Sequence, residues 1–176
     1  MKRQVRLSGI ATLACATAAL VLTACSAPEN RSWNEGINII PVPAQMTQNE
    51  GSFTLNGSTV IACATPDFAQ ATALLASKVK TAAGYDLKVA QEAPAENYIS
   101  FVVDSNIANK EGYTLTSTPQ GVTIAAATPA GAYYGAQTLL QLLPAEIESS
   151  QKIKNIEWTI PAVAIQDQPR FQYRGV

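Results

Sequence analysis

Two threonine–proline steps, Thr65-Pro66 and Thr128-Pro129, do most to restrict how this chain can fold. A threonine hydroxyl can accept from the free N–H groups of a first helical turn, and proline suits the first helical position because its missing N–H would have no partner there. Behind the first step, Asp67 complements the positive helix end, and Phe68, Ala71, Leu75, Val79 and Ala82 fall on one stripe at helical spacing before Gly84 supplies a stop. Behind the second, Tyr133, Ala136, Leu140 and Leu143 form a stripe flanked by Ala132 and Leu139, and Pro144 ends the run. Gly131 and Gly135 stand one turn apart, which lets another backbone approach closely. They are not a phosphate loop, because no strand leads into a glycine turn with a lysine.

The segments around these helices read as strands. Phe53–Leu55 and Thr59–Cys63 flank the turn Asn56-Gly57, Tyr85–Val89 alternates, and Tyr98–Val103 is apolar enough for an interior strand. Glu111–Thr116 and Gly121–Ala125 form a hairpin through Thr118-Pro119-Gln120. Ile37–Val42 is extended but carries Pro41, with Pro43 beside it, so it belongs along an edge. Gln91–Asn97 and Ala145–Asn155 read as loops, and Ile156–Ile165 as a connector carrying Trp158. Residues 37–155 therefore predict an α+β two-layer sandwich, a mostly antiparallel sheet with two helices on one face.

The N-terminus is a targeting segment. Lys2, Arg3 and Arg6 precede an apolar run from Leu7 to about Val21, too short and alanine-rich for a good membrane span, which disfavours an uncleaved anchor helix. Leu22-Thr-Ala-Cys25 resembles a bacterial lipobox, which implies a signal peptide over residues 1–24 and lipidation of Cys25. Cys15 fits worse, since Thr12 stands where an aliphatic residue is wanted. Residues 25–36 form a polar tether in which Trp33 packs against the domain edge. The expected location is the cell envelope, lipid-anchored, with the membrane as one partner. Cys63 is left without a disulfide partner and reads as a small buried hydrophobe. Without Lys2, Arg3 and Arg6, nine basic residues face thirteen acidic ones, and no basic block remains, so no nucleic-acid partner is expected.

The chain has no histidine, which excludes a Ser-His-Asp or Cys-His site and histidine-bound metal. No carboxylate pair sits in an apolar setting that would tune an acid and a base; Asp86, Asp104 and Glu111 read as solvated strand ends. The expectation is no catalytic residue, no metal and no cofactor within these residues.

The last stretch, Asp167-Gln-Pro-Arg-Phe-Gln-Tyr-Arg-Gly-Val176, reads as a turn at Asp167 and Pro169 followed by a strand opening at Phe171, with nothing after it to pair with. A fragment is therefore expected. Preceded in chain order by Ile40-Pro-Val-Pro43, by Gly131-Ala-Tyr-Tyr-Gly-Ala-Gln-Thr-Leu-Leu-Gln-Leu-Leu143 and by Trp158-Thr-Ile-Pro161, it resembles glycoside hydrolase family 20, the β-N-acetylhexosaminidases.

The resemblance implies an accessory N-terminal domain over residues 37–155, with the connector and first strand of a (β/α)8 barrel over 156–176, the rest of the barrel lying beyond Val176. It implies exo-hydrolysis of terminal β-linked N-acetylglucosamine or N-acetylgalactosamine with retention, the substrate's acetamide acting as nucleophile and a distant Asp-Glu pair assisting. Arg174 matches the arginine that binds hydroxyls of the terminal sugar, while Arg170 is expected to be structural. The partners implied are N-acetylhexosamine-terminated glycans, held through the barrel, and the barrel itself, on which the small domain docks as a buttress. The chain alone should be inactive. A non-catalytic lipoprotein module that binds glycans or a partner is the alternative, and it needs clustered exposed aromatics; Tyr133 and Tyr134 are too few.

Overall fold

The computed structural model describes residues 36–171. The leader, Cys25, Trp33, and the end of the chain with Tyr173 and Arg174 lie outside the described residues. Seven strands run in chain order: β1 Gln45–Thr54, β2 Val60–Cys63, β3 Lys88–Ala90, β4 Tyr98–Val103, β5 Tyr113–Thr118, β6 Gly121–Ala126 and β7 Thr159–Asp167. They form one sheet in the order β1-β7-β5-β6-β4-β2-β3. Helix α1, Ala69–Ala82, follows a 3-10 turn at Pro66–Phe68, and helix α2 is Pro129–Leu142.

Both helix starts form as the sequence predicts. The Thr65 hydroxyl accepts from the Asp67 N–H at 3.2 Å, and the Thr128 hydroxyl accepts from the Gly131 N–H at 3.4 Å while donating to the Lys110 carbonyl. Gly84 takes φ +75° and its N–H closes the end of α1 on the Val79 and Lys80 carbonyls. Residues of this handedness strain any side chain, so glycine is the natural stop.

The core lies between the helices and one sheet face. Register places Ile61, Ile99, Val122, Ile124 and Leu115 along that face, all fully buried, with Leu75 and Val79 of α1 and Ala132, Ala136 and Leu139 of α2. The opposite face presents small and polar side chains, among them Thr116, Ala164 and Gln166. Cys63 is half-buried, its thiol donating to the Thr65 carbonyl.

Three expectations need correction. The sheet is mixed rather than mostly antiparallel: β1, β7, β5 and β6 pair antiparallel, whereas β6, β4, β2 and β3 pair parallel. Helix α1 lies between β2 and β3, and a helical crossover brings the chain back in the same direction. Phe53–Leu55 and Thr59–Cys63 are consequently no hairpin. Residues 45–54 form β1, which pairs with β7, while β2 lies near the far edge beside β3 and β4. Asn56 instead organises a polar crossing, where Thr59 accepts from the Asn56 N–H and donates to Asn97 Oδ1 at 2.6 Å.

The connector reading of Ile156–Ile165 is the second correction. Residues 159–167 are β7, paired with β1 on one side and β5 on the other, with Ile160, Val163 and Ile165 buried. Asp167 is the last residue of that strand rather than a turn, and Gln168–Phe171 do not continue it. The third concerns Ile37–Val42, which is no sheet edge. Ile37 and Ile39 are buried, and the Ile40 N–H donates to Gln141 Oε1 of α2 at 2.7 Å.

Candidate functional site

The segment 39–44, the second half of α2 and the chain leaving β7 meet in a groove of about 580 Å³. Its rim is apolar: Phe171 is 73% and Val42 45% exposed, beside Pro41 and Pro169. Side chains of that size stay in water at a cost unless something covers them.

The floor is polar and fully engaged. The Tyr113 hydroxyl donates to Asp167 Oδ2 at 3.3 Å, so the Thr138 hydroxyl, 2.5 Å away, is left to donate to the phenol oxygen. Asp167 Oδ1 accepts the Ala44 N–H at 2.9 Å. One carboxylate and one phenol thus join four pieces of the fold: β7, β5, α2 and the N-terminal segment. Burial pushes the Tyr113 phenol well above the ordinary tyrosine range; the Thr138 bond opposes this, and the charge of Asp167 adds to it. Tyr113 therefore remains a neutral donor at any physiological pH.

Why the sequence builds this is plain from its alternation. Tyr113, Leu115 and Ser117 occupy the helix-facing positions of β5, and strand register sets Tyr113 opposite Asp167. Thr138 is on the buried side of α2. Sequence reading placed Tyr113 in a strand and Asp167 in a turn and found no link between them. Only the β5–β7 register could have supplied it.

The other carboxylates serve the fold. Asp104 accepts from the Asn106 N–H at 2.9 Å, Glu111 from the Tyr134 hydroxyl at 3.2 Å, and Asp86 lies 3.1 Å from Lys80. Glu148 pairs with Lys78. These partly or fully exposed pairs contribute little. Among the described residues no group of three or more metal-ligating side chains converges. A second hollow, about 650 Å³ beside Gly36, Gly51 and Leu140–Pro144, carries only one titratable side chain, Glu148. Of the residues expected to carry function, Arg174 and Cys25 lie outside the described residues, and Arg170 is exposed on the groove rim.

What is left is an α+β accessory-type domain with a mixed sheet, two covering helices and a groove where the chain exits. The profile of glycosyl hydrolase family 20, domain 2, matches residues 36–168, and the chain belongs to that family. It is 40% identical over 168 residues to a β-hexosaminidase of Porphyromonas gingivalis, covering 92% of this chain but 22% of the relative. Among solved structures it resembles the GH20 β-N-acetylhexosaminidase of Streptomyces coelicolor A3(2), with TM-score 0.71 and 31% identity over 77% of this chain and 27% of that one. The N-acetyl-β-hexosaminidase of Streptomyces plicatus matches equally well, at the same score, identity and coverage. The β-N-acetylhexosaminidase of Bacteroides fragilis shares the fold at TM-score 0.59 and 22% identity. The chain thus spans about a fifth of the length of the curated relative it matches.

Proposed function

We propose that this chain is the N-terminal part of a lipid-anchored exo-β-N-acetylhexosaminidase that releases terminal β-linked N-acetylglucosamine or N-acetylgalactosamine with retention. The observation that carries the reading is the family match over residues 36–168. The chemistry then belongs to a barrel further along the protein, with an Asp-Glu pair assisting attack by the substrate's acetamide. Residues 36–167 act as a buttress. Their apolar groove rim, Pro41, Val42 and Phe171, docks on the barrel, which covers side chains otherwise left in water.

Arg174 holds hydroxyls of the terminal sugar. A guanidinium fork can donate to two sugar oxygens at once, and the residue stands seven positions beyond the end of β7. Leu22-Thr-Ala-Cys25 supports lipidation of Cys25 and attachment to the cell envelope. The glycan-binding module is not favoured: Tyr133 and Tyr134 contact each other edge to face at 6.4 Å and are half-buried on α2, so they make no stacking platform.

The test is an assay of the complete gene product on a chromogenic β-N-acetylglucosaminide beside the 176-residue chain. Activity in the first and none in the second is expected. No release of chromophore by the complete product from either the gluco or the galacto substrate would remove the hydrolase reading.

A further inference from the structure

We infer that Asp167 is a positioning residue, whose carboxylate fixes the course on which the chain leaves the sheet toward Arg174. The inference rests on the proposed role of Arg174, but its structural half stands on geometry alone. Asp167 is the last residue of β7, and Gln168–Arg170 lie outside the strand. The strand partners of β7 constrain its backbone up to that point only. The Asp167 side chain adds two ties at the start of the exit, with one oxygen on the Ala44 N–H at 2.9 Å and the other on the Tyr113 hydroxyl at 3.3 Å.

Tyr113 cannot move to follow a displaced Asp167. Its ring is buried against Gly135 of α2, and its hydroxyl is engaged by Thr138. Ala44 is held in turn by the segment whose Ile40 N–H bonds Gln141. The carboxylate therefore has two reference points, one from the start of the domain and one from its core. A surface aspartate that merely solvated a strand end would need neither. The next residues, Pro169 with its fixed φ and Arg170, carry that direction onward over a short distance.

Two readouts separate positioning from plain stabilisation. Asp167→Ala removes both bonds, whereas Asp167→Asn keeps an acceptor for Ala44 and offers Tyr113 an amide donor, so the phenol can turn its hydrogen to Thr138. In the complete protein, at a temperature where every variant is folded, Asp167→Ala should raise KM for the chromogenic glycosaminide roughly tenfold with a smaller change in kcat, because misplacing a binding group by an ångström has effects of about that order or more. Asp167→Asn should recover most of it. In the 176-residue chain, tryptic cleavage at Arg170, measured relative to cleavage at the exposed Lys154, should be severalfold faster in Asp167→Ala than in wild type or Asp167→Asn.

Equal cleavage ratios in all three would overturn the inference, as would a lowered Tm in Asp167→Ala with KM unchanged. A complete protein that is inactive in every form would sink the hydrolase reading instead, and the cleavage ratio would still decide whether Asp167 holds the exit.

Discussion

Gly131 lies directly under the backbone carbonyl of Gly112: a Cβ built on Gly131 would stand 2.2 Å from that oxygen. The first turn of α2 therefore touches the backbone that leads into β5 with no side chain between them. Thr128, three residues earlier, donates its hydroxyl to the Lys110 carbonyl on the same stretch. Gly131→Ala must push α2 away from β5 or distort the loop, since neither contact is with a flexible side chain. A loss of about 2 kcal/mol is expected, in the range for overpacking a close contact. Thermal unfolding should show Tm lowered by roughly 8 °C for a domain of this size. An unchanged Tm would show that the helix can shift without cost.

The Tyr113 phenol gives the domain a pH-dependent contribution to stability. Its folded-state pKa lies above the unfolded value, chiefly through burial, so the folded state holds the proton more tightly. Its contribution is fully present below the ordinary tyrosine pKa of about 10 and is lost as pH rises from there toward the higher folded value. Tyr113→Phe removes the hydroxyl that joins Thr138 and Asp167 and should cost about 1 kcal/mol at neutral pH. Wild type should lose that advantage as pH climbs from 9 to 11, at up to about 1.4 kcal/mol per pH unit. Denaturant midpoints measured across that range check it; parallel curves for the two proteins would contradict the burial argument.

The domain boundary yields a third outcome. Residues 37–155, the span that local pattern suggested, lack β7, which pairs with both β1 and β5 and buries Ile160, Val163 and Ile165. Without it β1 has no partner at all and β5 becomes an open edge. A chain of residues 36–155 should therefore give a collapsed spectrum and aggregate, while one of residues 36–171 folds cooperatively. Proton NMR dispersion of the two distinguishes them. Equal dispersion would mean that the strand adds nothing essential.

That boundary shows where the sequence was readable and where it was not. Local physics wrote the helices plainly: Thr65 and Thr128 cap as their neighbours suggest, Gly84 stops α1, and the β5–β6 hairpin turns at Pro119-Gln120. Partner choice was not local. Asn56-Gly57 signals a turn whether the chain folds back as a hairpin or crosses the sheet, and only the α1 crossover forces the second course. Strand β1 was hidden because Gln45–Gly51 is polar and exposed apart from Met46, with an irregularity between Gln48 and Ser52 and Gly51 at φ +95°. Strand β7 was hidden by Pro161 and by its place next to the exit motif. The Tyr113–Asp167 bond needed that register before it could be seen. The family resemblance rested on short motifs rather than topology, and so survived these errors.

Arg174 carries the most direct functional outcome. If its guanidinium binds two sugar hydroxyls at once, a lysine cannot replace it, because an ammonium offers no planar fork and only a point charge. Arg174→Lys and Arg174→Ala should both weaken the complete enzyme, and the lysine variant should recover less than half of the lost binding free energy. Each lost charge-assisted hydrogen bond contributes about 1.5–3 kcal/mol, so losing two in Arg174→Ala should reduce kcat/KM by at least about a hundredfold. The defect should appear mainly in KM if the contact holds ground state and transition state alike, and in kcat if it strengthens as the sugar ring distorts. The thermal stability of the domain should not move, since among the described residues its sheet ends at Asp167. Steady-state kinetics beside a melting curve decide the matter: a fall in Tm with kcat/KM intact would make Arg174 a structural residue rather than a substrate-binding one.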